Sequence, residues 1–260
     1  VPFLASGGDS GGNGEATDHL GYTYYGSSQA WSGFDNGNRD LQPALRAYLR
    51  SGQRISAGNV DTQAIAGQLV TGRNAVVQRN KNLPPNGSAT VTGGTNWVIG
   101  DDATLGIIFN AGYSNKWRTR DTIQQTASTL DLSQKELDFQ RVITDNRIVV
   151  NGLVGFGIEA GEQKVRWTNL FIRDTLKQAR IGIGTRQTTS PTATLQQQDT
   201  AWFERQLVDS QLVGEFKLSP DVNLSFRVAY ANSKREAPDE FSFEYYRSNQ
   251  ASDPFGNQFI

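Results

Sequence analysis

The chain has 260 residues, with 25 Lys and Arg against 26 Asp and Glu, and it contains no Cys and no Met. The lack of Cys excludes disulfides and thiolate metal sites, and the balanced charge argues against a nucleic-acid-binding protein, which usually carries a basic excess. Mean hydropathy is −0.51, which excludes membrane-spanning helices, because each needs ~20 mostly apolar residues in a row. Transmembrane strands remain compatible with this value, since they alternate apolar and polar residues.

A long polar connection is predicted over residues 17–87, with two short helices inside it. Asp40 can cap a first helix that ends near Gly52, and Asp61 can cap a second helix over residues 62–71. The first helix would carry its apolar residues on one stripe, formed by Leu41, Leu45, Tyr48 and Leu49.

Downstream of residue 87, alternation with a period of two predicts strands, because successive side chains of a strand point to opposite faces. The two clearest stretches follow Gly100 and Pro220. The first places Leu105, Ile107, Phe109, Ala111 and Tyr113 on one face, and the second places Leu224, Phe226, Val228 and Tyr230 on one face. Weaker alternation is present over residues 88–99, 150–159, 164–174 and 205–218. Residues 133–143 fit either a capped helix that begins at Ser133 or a long strand.

Short and long connections alternate along the chain. Residues 100–103, 160–163 and 219–222 are short and rich in the turn formers Gly, Pro and Asp,. Residues 17–87, 119–137, 184–200 and 234 onward read as long polar connections, and residues 188–198 as a mobile loop within one of them,. Outer-membrane barrels have this asymmetry, with short periplasmic turns and long extracellular loops. We therefore predict an all-β fold, an antiparallel transmembrane β-barrel segment of about seven strands.

Several stretches resemble one family. The stretch Gly33–Leu41 (GFDNGNRDL) resembles part of the first long loop of TonB-dependent outer-membrane receptors, and residues 113–121, 150–175, 201–218 and 230–246 resemble their barrel strands. Such receptors have ~22 strands around an N-terminal plug. The resemblance implies that residues 1–260 are the N-terminal part of the barrel domain and that a plug lies outside this sequence. We therefore expect the chain to be a segment of a longer protein.

The resemblance also implies a function. The expected activity is uptake of a scarce solute (siderophore-bound iron, a carbohydrate or cobalamin) across the outer membrane of a Gram-negative bacterium. The expected partners are the TonB complex, reached through the plug, the outer-membrane lipid and the solute itself, and no nucleic acid. We expect no enzymatic activity, no catalytic residue, no cofactor and no metal site. A passive porin of ~16–18 strands and a soluble all-β binding module remain alternatives.

Aromatic residues in the predicted loops are the candidate ligand contacts, because aromatic rings can stack on a sugar or a chelator. The candidates are Tyr24, Tyr25, Trp31, Trp202, Phe203, Tyr245 and Tyr246. Packing within the loops is the structural alternative for these residues. Trp97, Tyr113, Trp117 and Trp167 are instead assigned to the aromatic girdles of a barrel.

Three further sequence features carry no predicted chemistry. Residues 8–12 (GDSGG) match the string around the nucleophile of trypsin-like proteases, but only nine residues precede Ser10, and a base and an acid are needed upstream,. The single histidine, His19, has no second His and no Cys with which to bind a metal,. Asp101 and Asp102 are interpreted as a solvated turn.

Overall fold

The computed structural model describes residues 3–9, 21–54, 61–70, 76–100, 102–131, 133–189 and 192–260, and residues 3–9 by their backbone alone. In chain order the elements are β1 (Phe3–Asp9), β2 (Gly21–Thr23), a 3-10 turn (Ala30–Ser32), α1 (Pro43–Ser51), α2 (Thr62–Leu69), β3 (Gln78–Asn80), β4 (Gly87–Ile99), β5 (Ala103–Ala127), β6 (Lys135–Ala160), β7 (Gln163–Arg186), β8 (Thr194–Ser219) and β9 (Val222–Arg247). Neither these helices nor any other described segment forms a helix long and apolar enough to cross a membrane.

Seven strands form one antiparallel sheet in the order β1-β4-β5-β6-β7-β8-β9, and β2 pairs separately with β3. This confirms the predicted mostly β, antiparallel fold and the short helices in the first connection. Within the described residues, β1 and β9 each pair on one side only, so the sheet is open. Strands β5 to β9 have 24 to 26 residues each, whereas a strand of an ordinary globular protein has about 5–6.

The three predicted short turns are confirmed, and all three lie at the same end of the sheet. Two residues connect β6 to β7 and two connect β8 to β9. Gly100 and Gly161 have positive φ angles of 67° and 57°, a conformation in which a glycine meets no steric penalty. We call this end of the sheet the turn half and the other end the loop half. In β5 the halves meet near Tyr113, which lies opposite Val150 of β6.

Three of the four predicted long connections were wrong in extent. β5 continues to Ala127 and β6 begins at Lys135, so most of residues 119–137 is strand. Residues 184–200 shrink to a connection over 187–193, and the chain from residue 234 stays in β9 until Arg247. The cause is that the backbone ladder continues through polar sequence, helped by cross-strand pairs such as Arg120–Asp145 at 2.6 Å,. The predicted mobile loop over residues 188–198 was therefore wrong from Thr194 on, where β8 begins.

The helices begin and end close to the predicted residues. α1 begins after Gln42 rather than Asp40, because Pro43 occupies its first turn, and it ends at Gly52 in the left-handed conformation,. Asp61 caps α2 as predicted, with its side chain accepting from the Ala64 amide at 2.8 Å. α2 ends at Leu69, since the next residue is extended. The alternative helix at residues 133–143 did not form, and β6 occupies this stretch from Lys135 on.

The turn half has one apolar and one polar face. The apolar face consists of facing rows along the sheet, formed by Trp97, Ile99, Leu105, Ile107, Phe109, Val154, Phe156, Ile158, Val165, Trp167, Leu212, Phe226, Val228 and Tyr230. Many of these side chains are exposed, among them Trp97 at 50% and Val228 at 62%. The polar face on the other side carries Asn96, Asn110, Glu159, Lys164, Arg166, Glu215 and Arg227, together with a few apolar residues such as Ile108.

In the loop half, the continuation of the apolar face is covered by the first connection. Residues 21–42 and Leu83 lie over β5 to β8 there, and the contacts bury Tyr24, Leu83, Ile148 and Trp202. Part of the hydrophobic burial in the described residues therefore lies beneath this segment, while Phe139 and Leu195 are buried in a row of the opposite face. We call residues 21–42 the covering segment.

Candidate functional site

The stretch that carries the family resemblance forms a turn organised by Asp35. The Asp35 carboxylate accepts from the Gly37 amide at 3.0 Å and the Arg39 amide at 3.3 Å, and it forms an ion pair with the Arg39 guanidinium at 2.6 Å. Gly33 and Gly37 have positive φ angles of 78° and 88°, which allow the chain to fold this tightly. The turn therefore orients Arg39 through contacts within the segment itself.

The guanidinium of Arg39 lies over the ring of Trp202 in β8. The guanidinium carbon is 3.7 Å from the indole ring centroid, and Nε is 3.6 Å from the Asp239 carboxylate of β9. Trp202 is fully buried, and its Nε1 donates to Glu204 at 2.6 Å. Because the guanidinium is buried between a π face and two carboxylates, this contact combines a cation–π interaction with charge neutralisation.

A second buried arginine fixes the start of the same turn. Arg173 of β7 donates to the Gly33 carbonyl at 2.7 Å and pairs with Glu204 at 2.6 Å. The Thr175 hydroxyl donates to the same carbonyl at 2.7 Å. Glu204 thus joins the Arg173 contacts to those of Trp202, so the covering segment is attached to the sheet by one continuous polar network.

Tyr24 and Lys177 form the other end of the attachment. The Tyr24 hydroxyl donates to the Ala201 carbonyl of β8 at 2.8 Å, and Lys177 Nζ donates to the Tyr24 carbonyl at 2.8 Å. Burial raises the pKa of the Tyr24 hydroxyl and lowers the pKa of Lys177 to about 8. Burial also raises the pKa of Asp239, against the opposing effect of Arg39. Lys177 and Asp239 lie in the loop half of the sheet, beyond the exposed apolar rows, and Tyr24 lies in the covering segment.

A cavity of about 270 Å³ lies between the covering segment, α2 and β9. Its walls include Tyr25, Arg39, Asp239 and Phe241. This volume is slightly below the range of about 300–1,000 Å³ that is usual for small-molecule sites. The cavity can hold a small polar group, but Arg39 and Asp239 in its wall already pair with each other.

The seven candidate aromatic residues do not form one cluster. Tyr24, within the covering segment, and Trp202, on β8 beneath it, are both buried. Tyr25 lines the small cavity, and Trp31 is 66% exposed and meets Tyr113 edge-on at 6.2 Å. Phe203 lies on the opposite, polar face of β8, and the neighbours Tyr245 and Tyr246 point to opposite faces near the end of β9,.

The charged residues that hold this site together were not among the sequence candidates, although Tyr24 and Trp202 were. Arg39, Arg173, Lys177 and Glu204 are charged, and all but Lys177 are buried. The sequence feature that could have pointed to Arg39 is its position within residues 33–41, the stretch that carries the family resemblance. No sequence pattern indicated its partner Trp202, which lies far along the chain.

Some sequence motifs fall outside the described residues, namely Ser10, His19 and Asp101. In the part of the chain that the structure describes, no three His, Cys, Asp or Glu residues are grouped so as to hold a metal ion. A scan against protein families, a search of curated proteins and a search of solved structures each gave no match.

Proposed function

We propose that the chain is part of the barrel of a TonB-dependent receptor in the outer membrane of a Gram-negative bacterium. The observation that carries the proposal is a sheet of very long antiparallel strands with an exposed apolar face confined to the turn half. A protein surrounded by water rarely exposes a contiguous apolar surface of this extent. Contact with lipid removes the cost of that exposure.

The height of the apolar face supports this proposal. It runs from the row of Ala103 to the row of Tyr113, ten residues along β5. At ~3.4 Å per residue, this stretch is about 34 Å long. A strand tilted by ~40° would then cover about 26 Å along the membrane normal, close to the ~25 Å apolar band of outer-membrane barrels.

The loop half favours a receptor over a simple channel. β5 continues for about 14 residues beyond the Tyr113 row, and its partners extend with it. Strands need only ~9–11 residues to span a bilayer, so this half would stand above the membrane. There it carries the covering segment and the two helices. The expected solute remains siderophore-bound iron, a carbohydrate or cobalamin, as the resemblance implies.

The test combines cell fractionation with solute uptake by the full-length protein. We expect the protein to fractionate with the outer membrane and to require detergent for extraction. A deletion strain should lose uptake of one of the three solute classes, and collapse of the proton gradient should abolish that uptake in the parent strain. Release by high salt without detergent would instead indicate a soluble binding module, and uptake that persists without the gradient would indicate a passive channel.

A further inference from the structure

The polar face of the loop half carries an unusual pairing of like charges. Lys116 of β5 lies directly opposite Arg147 of β6, and Arg205 of β8 lies directly opposite Arg235 of β9. Like charges in directly opposite positions of a sheet are destabilising. Two such pairs lie in adjoining rows of the sheet. Each pair lowers the free energy of unfolding, so this surface keeps its positive charges at the expense of stability.

The carboxylates close to these cations are already engaged. Asp174 accepts two hydrogen bonds from Arg147, both at 2.8 Å, and lies 3.5 Å from Arg205. Asp145 pairs with Arg120 at 2.6 Å and accepts from Gln178 at 2.6 Å.

Three of the cations remain without a partner. Lys116, Arg118 and Arg235 have no side-chain hydrogen bond or ion pair with any residue that the structure describes. The local balance is therefore an excess of positive charge that is free to contact a ligand.

Lys116 and Arg118 line a cavity of about 550 Å³, which we call the basic groove. Four basic side chains line it, Lys116, Arg118, Arg147 and Arg205, against the two carboxylates of Asp145 and Asp174. Its remaining walls include Leu176 and Phe203, which contribute apolar surface. The volume lies within the usual range for small-molecule sites, ~300–1,000 Å³, and an apolar wall with a few convergent charged groups is their usual composition.

We propose that the basic groove binds a small organic anion that carries at least two carboxylate or phosphate groups. Arginine presents a planar fork of donors that matches either group, and the free Arg118 and Lys116 can contact one group while Arg205 contacts a second. Phe203 would pack against the organic part of the ligand. The inference rests on the proposed function, since it takes this anion to be the solute or a part of it. The groove lies on the face opposite the apolar rows, which separates it from lipid headgroups.

The test measures binding of citrate, inorganic phosphate and the neutral sugar maltose to the full-length protein in detergent by titration calorimetry. We expect saturable binding of citrate, weaker binding of phosphate and none of maltose, with affinity falling as salt is added. Arg118→Gln and Lys116→Gln should each weaken citrate binding about tenfold, the usual effect of one lost charge-assisted hydrogen bond. Neither side chain loses a hydrogen bond or ion pair to the residues that the structure describes, so both variants should fold.

The matched control is Arg227→Gln, which removes the same charge from the same face in the turn half. It should leave citrate affinity unchanged, and an equal loss in this control would overturn the proposal in favour of non-specific attraction. Failure of the wild-type protein to bind citrate or phosphate would overturn it as well. In that case, destabilisation by Arg118→Gln would show that an acidic segment of the protein itself fills the groove.

The inference and the proposed function can fail separately. Gradient-dependent uptake without anion binding would refute the groove and leave the receptor standing. Specific anion binding together with gradient-independent uptake would support the groove and refute the TonB-dependent mechanism.

Discussion

Replacement of Arg39 by Met should detach the covering segment from the sheet. The Arg39 side chain is 4% exposed, and its two carboxylate partners, Asp35 and Asp239, are 15% and 13% exposed. Met keeps most of the aliphatic volume over Trp202 but leaves both carboxylates without their cation. Removal of one partner from a buried ion pair costs about 3–5 kcal/mol. At ~1.4 kcal/mol per factor of ten, the docking equilibrium should shift about 10²- to 10⁴-fold.

Hydrogen exchange followed by mass spectrometry measures this shift directly. The Tyr22 amide is a suitable reporter, because it donates across the docking interface to the Thr144 hydroxyl at 2.9 Å. In the Arg39→Met variant, the peptide that contains Tyr22 should exchange faster by the factor given above. Peptides from the turn half should exchange as in the wild-type protein.

Arg46→Met is the matched control. Arg46 belongs to the same connection, and its pair with Asp40 is long at 3.8 Å and 46% exposed on the arginine side. Exposed pairs of this kind contribute about 0–1 kcal/mol, so exchange at Tyr22 should change less than about fivefold. Equal exchange in the two variants, or no acceleration in Arg39→Met, would refute the view that the buried charges hold the segment in place.

Three further changes test other parts of the structure. Gly33→Ala should accelerate exchange of the covering segment more than Gly37→Ala. Both positions have positive φ, which costs an alanine about 1–2 kcal/mol, but only at Gly33 would the new Cβ lie 3.2 Å from side chains of the sheet. Equal acceleration in the two variants would contradict this close approach. Because burial lowers the pKa of Lys177 from 10.5 to about 8, the docked state gives up a proton that the undocked state keeps between these values. Docking should therefore strengthen as pH rises from 8 to just below 10, where Tyr24, whose pKa is raised from 10.0 by burial, begins to act in the opposite direction,. Lys177→Met should remove this strengthening in exchange rates corrected for base catalysis. Phe156→Arg on the apolar face should lower the free energy of unfolding in lipid vesicles by about 2–4 kcal/mol, while Thr168→Arg on the polar face should be tolerated. Equal tolerance of both would mean that the apolar face does not meet lipid.

The tight turns and the turn half were predictable, because local chemistry determines both. Gly100 and Gly161 adopt positive φ angles in the turns. In β5 and β9, apolar and polar residues alternate over the length of the apolar face, so the sequence itself identifies the residues of that face. The loop half offered no such pattern. One of its faces is covered by protein and the other is charged, so the side chains on both faces are mixed and the period of two is hidden.

A β-bulge explains why the end of β9 was predicted as a loop. Glu236 lies opposite Glu204, whereas Asp239 lies opposite Trp202. Two residues of β9, Ala237 and Pro238, thus face one residue of β8, the defining feature of a bulge. Proline is tolerated here because β9 is an edge strand in the described sheet,. The bulge moves the next side chains to the other parity, and a regular alternation across it cannot be found in the sequence.

The candidate site was predictable only in part. The stretch around Arg39 was singled out, but its partners on β7 and β8 are separated from it by more than a hundred residues, as in the contact between Arg173 and Gly33. A single sequence contains no record of such a pair. The aromatic candidates were chosen for their position in predicted loops, and Trp202 and Phe203 proved to lie within a long strand. Because successive side chains of a strand point to opposite faces, Trp202 lies under the covering segment and Phe203 lies on the polar face.

The placement of Trp202 and Phe203 on opposite faces of β8 bears on where a solute would bind. On the proposed function, lipid covers the apolar face up to the row of Tyr113 and Arg173, and above that row no lipid is present. The covering segment takes over there, which accounts for the burial of Arg173 and Trp202 against protein on the outer side of the sheet. The polar face carries the basic groove, and Phe203 is the only one of the seven aromatic candidates that lines it. Phe203→Ala should therefore weaken binding of an organic anion, whereas Trp202→Ala should loosen the covering segment and leave anion affinity unchanged. Loss of anion affinity in Trp202→Ala alone would instead locate the ligand on the covered face.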